Sequence, residues 1–325
     1  LFWTGMGSLV LGRLADRFRN PVPTLAFFQG LLAAVLIGTL PLIRSLKLLL
    51  DVSPGQIIGY LSMFRGAFIS LSLCCLLNGF LFSLAGKASS AVYRRRKAVS
   101  RGVGVVYILE SLGSVAGGLI TSLLLIKYFS SLILLVILAG LNLAAAGGIV
   151  FFFPGSSPRT KSRIAWLGAA ALFTVLLGAD GVSSLDELTR NWQWRGFELK
   201  EVRNSVYGNL AVTGRDHQFS LFENGLLLFT RPDLLSAEEA VHFGMLEHPD
   251  PRRVLLIGGG MGGALEEILK YPSLEEVVYV ELDPEVVDLA EKYIPPPRRD
   301  FLKDPRLEIE YRDGRLYLQR TARRY

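Results

Sequence analysis

Val254-Leu-Leu-Ile-Gly-Gly-Gly-Met-Gly-Gly263 is a short apolar run that enters a glycine-packed turn. Gly258, Gly260 and Gly263 supply the G-x-G-x-x-G spacing. Glycine at these points lets the backbone turn tightly, approach a ligand and seat the next helix, whose N-terminal N–H groups favour polar or anionic atoms. Ala264 to Lys270 continues as helix, Glu276 to Val280 is a second β-rich run, and Glu281 stands at its end. A carboxylate there accepts two hydrogen bonds from a ribose diol. Strand, turn, helix, strand and terminal acid in register predict a nucleoside-binding α/β unit over 251–325. Only three strands fit before Tyr325, so this unit is expected to be incomplete. Residue 1 is a leucine already inside an apolar segment, and both ends are expected to be cut.

Upstream, 183–250 reads as a linker and a β-hairpin subdomain. Glu198 to Arg231 alternates and turns, and Asn224-Gly225 is a two-residue hairpin turn. Ser236 to His248 then predicts a helix, with Ser236 as N-cap and Glu238 and Glu239 in its first turn. An ordinary NAD-binding domain has no such hairpin subdomain ahead of it.

Further upstream the character changes. Half of the residues are hydrophobic and the mean hydropathy is +0.37, yet 20% are charged, which predicts a membrane part joined to a soluble part. A span needs about 20 apolar residues. Within 1–182 the candidates are a partial span at 1–12, then 23–43, 57–85, 102–126, 131–153 and a short one at 164–179, giving five to six spans. Arg13, Arg17 and Arg19 follow the first, Arg94, Arg95, Arg96, Lys97 and Arg101 the third, and Arg159, Lys161 and Arg163 the fifth. The alternate loops carry only Arg44, Lys47 and Lys127, so the positive-inside rule puts the arginine-rich loops in the cytoplasm. Two arguments then oppose each other. A true sixth span would carry the C-terminal domain to the other side. A nucleoside ligand calls for a cytoplasmic domain, and the 164–179 segment is short enough for an interfacial or re-entrant helix. The ligand argument sets the expectation: a multi-pass protein of the cell membrane with a cytoplasmic catalytic domain.

Gly113 with Gly117, and Ser114 with Gly118, place small residues four apart in one span, which predicts close helix packing. Arg65 and Glu110 are the ionisable residues to watch for a transport path, although a span that begins at Gly66 would leave Arg65 to snorkel at the interface. Cys74 and Cys75 are neighbours in one span and read as small buried hydrophobes. His217, His242 and His248 show no zinc spacing, so no metal is expected. The net charge of +6 sits in loops between apolar segments, which points to membrane topology and away from nucleic acid.

Taken together, SVYGNLAV (205–212), LFENGLLLF (221–229), AEEAVHFGMLEHP (237–249), RRVLLIGGGMGG (252–263), VVYVELDPEVVDLAEKY (277–293) and DPRLEIEYRDGR (304–315) resemble the spermidine synthase (polyamine aminopropyltransferase) family, in its bacterial membrane-fused form. The resemblance implies a class I methyltransferase-like (Rossmann-like) sheet behind the hairpin subdomain. It also implies aminopropyl transfer from decarboxylated S-adenosylmethionine, a donor substrate rather than a tightly bound cofactor, to a diamine such as putrescine. By the same resemblance Glu281 holds the ribose hydroxyls, Asp313 meets the adenine amino group, Gly258, Gly260 and Gly263 form the wall beside the donor, and His242 lines the donor pocket. Met261 and Tyr207 are the substrate-side candidates, and the proton-accepting aspartate is expected beyond Tyr325. The expected partners are the nucleoside donor, a polyamine acceptor and the lipid bilayer, with homodimerisation left open.

The departures bear on the acceptor. Met261 stands where the family carries an aspartate near the reacting amine, and Gly208 and Leu228 stand near usual glutamines. Donor binding is therefore better supported than diamine use. The same sheet and acids also serve an S-adenosylmethionine-dependent methyltransferase, and lost pocket charges fit a non-catalytic membrane transporter or sensor with a nucleoside-binding domain.

Overall fold

The computed structural model describes residues 1–18, 20–50, 52, 55–94, 99–152, 159–178 and 180–325. Arg19, Arg95, Arg96 and Lys97 of the basic loops lie outside the described residues, as do the side chains of Arg94, Arg101, Lys127, Arg159 and Lys161. The chain divides into two compact units, Leu1–Asp51 with Ile58–Gln193, and Val52–Ile57 with Trp194–Tyr325. The dividing point is thus Gln193 rather than residue 182, because the helix that follows the last apolar segment packs with the helical unit.

The helical unit starts with a stretch running through Phe2–Met6, Gly7–Leu11 and Gly12–Ala15. The longer helices that follow are α1 (Pro21–Leu49), α2 (Tyr60–Arg94), α3 (Val99–Ile120, continued by the turns Thr121–Leu125 and Ile126–Tyr128), α4 (Ser131–Phe152), α5 (Arg159–Gly178) and α6 (Gly181–Gln193). Among the described residues, four stretches are long and apolar enough to cross a membrane: Pro21–Leu49, Tyr60–Ala91, Gly102–Leu125 and Ser131–Phe152. A broken pair, Arg163–Leu177 and Gly181–Gln193, bends by 71° and makes a fifth candidate.

Side-chain contacts trace the path of α5. Trp166 Nε1 donates to the Leu143 carbonyl at 2.9 Å and its ring meets Phe151, whereas Phe173, two turns further on, lies against Gly140. Positions rising along α5 meet positions falling along α4, so α5 runs antiparallel to α4 through the bundle. Beyond the bend, Arg44 near the C-terminal end of α1 donates to Asp186 Oδ1 at 2.8 Å and to Thr189 Oγ1 at 2.6 Å on α6. The short sixth segment thus packs along α4 and leads into α6.

The small-residue stripe does not behave as expected. A methyl group on Gly113, Gly117 or Gly118 would meet nothing within 4 Å, and the stretch Gly102–Leu125 buries none of its apolar window. Close packing occurs instead where the N-terminal stretch crosses α2. A side chain on Gly7 would strike the Leu76 carbonyl, and one on Gly79 the Thr4 carbonyl. Arg65 and Glu110 are both exposed on the surface of this unit, and neither faces its interior.

The other unit begins with an antiparallel sheet in the order β1 (Leu199–Asn204), β2 (Asn209–Arg215), β3 (Gln218–Glu223), β4 (Leu226–Arg231). Asn224 and Gly225 take φ of 51° and 78° at the β3–β4 turn, the left-handed pair a two-residue hairpin requires. Helix α7 (Leu234–Glu247) is capped by Asp233, not Ser236: the Asp233 carboxylate accepts from the Ser236 amide at 3.2 Å and hydroxyl at 2.7 Å, so the helix starts before the serine. A parallel sheet follows in the order β5 (Arg253–Ile257), β6 (Glu276–Glu281), β7 (Leu307–Tyr311), with α8 (Ala264–Leu269), α9 (Pro284–Tyr293) and α10 (Gly314–Arg320) after its strands. Leu210, Val212 and Leu221 of the antiparallel sheet share one core with Val241, Leu265, Val277, Tyr279 and Leu289. The hairpin sheet and the parallel sheet are therefore one compact body.

Candidate functional site

In an open parallel sheet, ligands bind beyond the carboxyl ends of the strands, where helix N-termini and loops converge. Here that edge is formed by the turn after β5 and the acids after β6 and β7. Gly258, Gly259 and Gly263 adopt φ of 69°, 72° and 124°, a region that disfavours side chains. Gly260 is held for a different reason, since a Cβ there would stand 2.7 Å from the Tyr279 ring. Gly262 is similarly close to Phe229 of β4, at 3.0 Å. Of these, Gly259 and Gly262 fall outside the G-x-G-x-x-G spacing, which marks positions but not neighbours.

Glu281 is fixed at the end of β6. Tyr279 Oη donates to its Oε2 at 2.5 Å, and the Leu282 amide donates to its Oε1 at 2.8 Å. Burial, then the Glu281 carboxylate, pushes the Tyr279 phenol far above its ordinary range, so it remains a donor. The next acid, Asp283, caps α9 by accepting from the Glu285 amide at 3.1 Å. Its other oxygen, Oδ2, is buried and has no partner among the described residues.

Two adjacent cavities open at this edge and share Leu228, Phe229 and Gly259. One, of about 260 Å³, is lined further by Thr230, Asp233, Ala237 and Gly262. The other, of about 230 Å³, is lined further by Glu223, Gly258, Met261, Tyr279, Glu281 and Asp283. A larger cavity of about 650 Å³ lies near Arg252, Arg253 and Tyr325, at the amino ends of the strands, where this architecture does not place ligands.

The expected site residues separate into two groups. Gly258, Met261 and Glu281 come together in one cavity, although Met261 is wholly withdrawn from solvent. Its carbonyl accepts from the buried Arg231 at 2.8 Å, and Arg231 also pairs with Glu266 on α8, tying β4 to the glycine turn. Nothing in the sequence marked Arg231, because a lone arginine before a proline carries no pattern. Asp313 accepts from the amides of Arg315 and Leu316 at 2.9 and 3.0 Å, so one of its oxygens caps α10. Tyr207 is exposed in the β1–β2 turn. His242 lines neither cavity. Its ring bonds Tyr271 Oη at 2.8 Å and lies 3.4 Å from Glu267. With Glu238 these form a cluster whose candidate ligand atoms lie within 4.8 Å of one another, but Glu267 is already paired with Lys270 at 2.6 Å.

Residues 234–325 match the family model described as spermine/spermidine synthase domain. A polyamine aminopropyltransferase of Ralstonia nicotianae is 30% identical over 343 residues, which cover 99% of this chain and 61% of that protein. One of Hyperthermus butylicus is 41% identical over 106 residues, 32% of this chain and 36% of its own length. A solved spermidine synthase from Thermotoga maritima is 31% identical, with a TM-score of 0.35 over 38% of this chain and 43% of that one. This chain therefore spans less than two thirds of either curated relative.

Proposed function

We propose, from the match of residues 234–325 to the spermine/spermidine synthase domain, that the chain belongs to the spermidine synthase family and that the full-length protein is a polyamine aminopropyltransferase. Its donor would be decarboxylated S-adenosylmethionine and its acceptor a diamine such as putrescine. The observation that carries this reading is the cavity where Glu281, held by Tyr279 and a backbone amide, lines one wall with the glycine turn. A carboxylate oriented in this way suits a ribose diol, and the open backbone at Gly258 and Gly259 lets a nucleoside approach closely. In the reaction, an amine nitrogen attacks the propyl carbon next to the sulfonium. The C–N bond forms, the C–S bond breaks with its electron pair going to sulfur, and the nitrogen loses a proton. The protein must therefore orient both reactants and keep the attacking amine neutral.

The helical unit is read as embedded in the bilayer, supported by four apolar helices of spanning length whose large side chains remain exposed. The test uses the full-length protein in membranes or detergent, supplied with decarboxylated S-adenosylmethionine and putrescine. Appearance of spermidine with 5′-methylthioadenosine is expected. Methyl transfer from S-adenosylmethionine without aminopropyl transfer would replace this reading with the methyltransferase one. Glu281→Gln is expected to weaken donor binding by roughly 1–3 kcal/mol, the scale of a hydrogen bond to a charged group. Unchanged affinity in calorimetry would put the ribose elsewhere.

A further inference from the structure

The acids of the α/β unit are mostly matched with bases. Glu201 bonds Lys292 and Arg203, Glu266 bonds Arg231, Glu267 bonds Lys270, and Glu285 bonds Arg203. The 230 Å³ cavity gathers three acids for which no such pair is found among the described residues. Glu223, Glu281 and Asp283 line it together, and no lysine, arginine or histidine does. Glu281 is satisfied by a phenol and an amide, and Asp283 keeps a buried oxygen without a partner. The Glu223 side chain makes no hydrogen bond or ion pair among the described residues.

The fold aims Glu223 at this place. Phe219, Leu221 and Glu223 alternate along β3, and the first two pack into the shared core, so Glu223 continues the same face past the core's edge. It is the last residue of β3, paired with Leu226 across the Asn224–Gly225 turn, and that short turn fixes its register. Opposite it, the glycine turn contributes Met261, which carries no charge.

We propose that Glu223 is the anchor for an alkylammonium group in this cavity, supplying from the hairpin the negative charge that the glycine turn lacks at Met261. The inference rests on the aminopropyl-transfer reading, in which the donor's aminopropyl end and the far end of a diamine are both primary ammoniums. A half-buried carboxylate near two others, with no countercharge, is costly unless a cation joins it. Burial, then Asp283 and Glu281, accordingly raises the Glu223 carboxyl above its ordinary range, and a bound ammonium would remove that penalty.

The experiment compares full-length wild type with Glu223→Gln and Glu223→Asp. Donor binding is measured by calorimetry with decarboxylated S-adenosylmethionine and with 5′-methylthioadenosine, which lacks the ammonium. Acceptor use is measured as KM for putrescine and for n-butylamine, which lacks the second amine. Glu223→Gln is expected to weaken one member of a pair by about tenfold to a hundredfold and leave the counterpart that lacks the anchored ammonium within about twofold, with Glu223→Asp recovering part of the loss. A selective loss for the donor assigns Glu223 to the aminopropyl end, and one for putrescine to the acceptor's far end. Equal effects on both members of each pair, or none, overturn the proposal. If wild type transfers to no amine, putrescine binding is measured directly. Binding weakened by Glu223→Gln then keeps the anchor while the transferase reading fails, and no binding of either ammonium overturns both.

Discussion

In the α/β unit Leu265, Val277 and Leu289 are withdrawn almost wholly from solvent, whereas Leu109, Val115 and Leu123 of the helical unit stand 64%, 64% and 68% exposed. The residue types are similar; under the proposed membrane reading, their surroundings are not. In water, burial of such side chains is the main stabilising term, so their periodicity marks an inner face. In a bilayer, lipid tails are as apolar as leucine, and helices associate through small residues and polar contacts instead. Contacts of that kind occur in the helical unit at Gly7 with Leu76, at Gly79 with Thr4, and at Gln29 Nε2 donating to Asn142 Oδ1 at 2.5 Å.

The strongest way to break the comparison is to ask whether α5 crosses the bilayer. In a cysteine-free background, Asp16→Cys, Gln56→Cys and Ser184→Cys put single exposed thiols before α1, after α1 and on α6. An impermeant thiol reagent applied to intact cells and to inverted vesicles is expected to label positions 56 and 184 from one side and position 16 from the other. Labelling of 16 and 184 from the same side would make α5 re-entrant and undo the reading of its contacts with α4. The expected pattern also bears on the cytoplasmic placement expected from the ligand. With α5 crossing, that placement requires the arginine-rich loops to face away from the cytoplasm, against the positive-inside rule.

A sharper test sets two glycines against each other. A methyl on Gly79 meets the Thr4 carbonyl and stands 2.9 Å from the Ser8 amide nitrogen, both backbone atoms that can yield only if a helix moves. Gly79→Ala should therefore lower stability in detergent by roughly 1–3 kcal/mol, the usual cost of overpacking. Gly117→Ala, with open space around it, should cost nothing and can gain from helix propensity. Equal losses at the two positions would mean that the stripe on α3 packs against something after all.

These glycines also explain which features could be read from the chain alone. The α/β elements were readable because their signals are local: Asn224-Gly225 requires its turn, and a strand running into Gly258 requires its loop. Glu281 was readable because it ends a strand. The small-residue stripe at Gly113–Gly118 misled, since spacing alone cannot say which helix face has a neighbour. Gly7 and Gly79 carried no spacing signal because their partners lie on different helices. The Asp233 cap was missed because two capping residues stand close together and only the helix start decides between them. Glu223 and Arg231 owe their roles to convergence of β3 and β4 on the glycine turn, a tertiary fact that no local pattern encodes.

The smallest expected effect concerns the seam inside the α/β unit. Glu201 on β1 is bonded by Lys292 at 2.6 Å and Tyr293 Oη at 3.0 Å on α9, and by Arg203 at 2.9 Å, joining the antiparallel sheet to the parallel one. The Lys292 bond foremost, with help from Arg203 and Tyr293, holds its carboxyl down to about 2 from an ordinary 4.5. A carboxyl whose pKa is lower in the folded chain stabilises above its unfolded value, and that contribution fades as pH falls from 4.5 towards 2. The groups are partly exposed, so the network should contribute on the order of 1 kcal/mol. Glu201→Gln should lower Tm near pH 7 by about 2–4 °C. The difference between wild type and variant should shrink as pH falls below about 4.5, because the protonated wild-type carboxyl then resembles the amide. Other acids also titrate in this range, among them Asp304 and Glu308, both held low mainly by hydrogen bonds from arginines. Only the difference between the two melting profiles therefore isolates Glu201. A difference that stays constant from pH 7 to pH 3 would show that the ion pairs at this seam contribute nothing, and that the shared apolar core alone joins the two sheets.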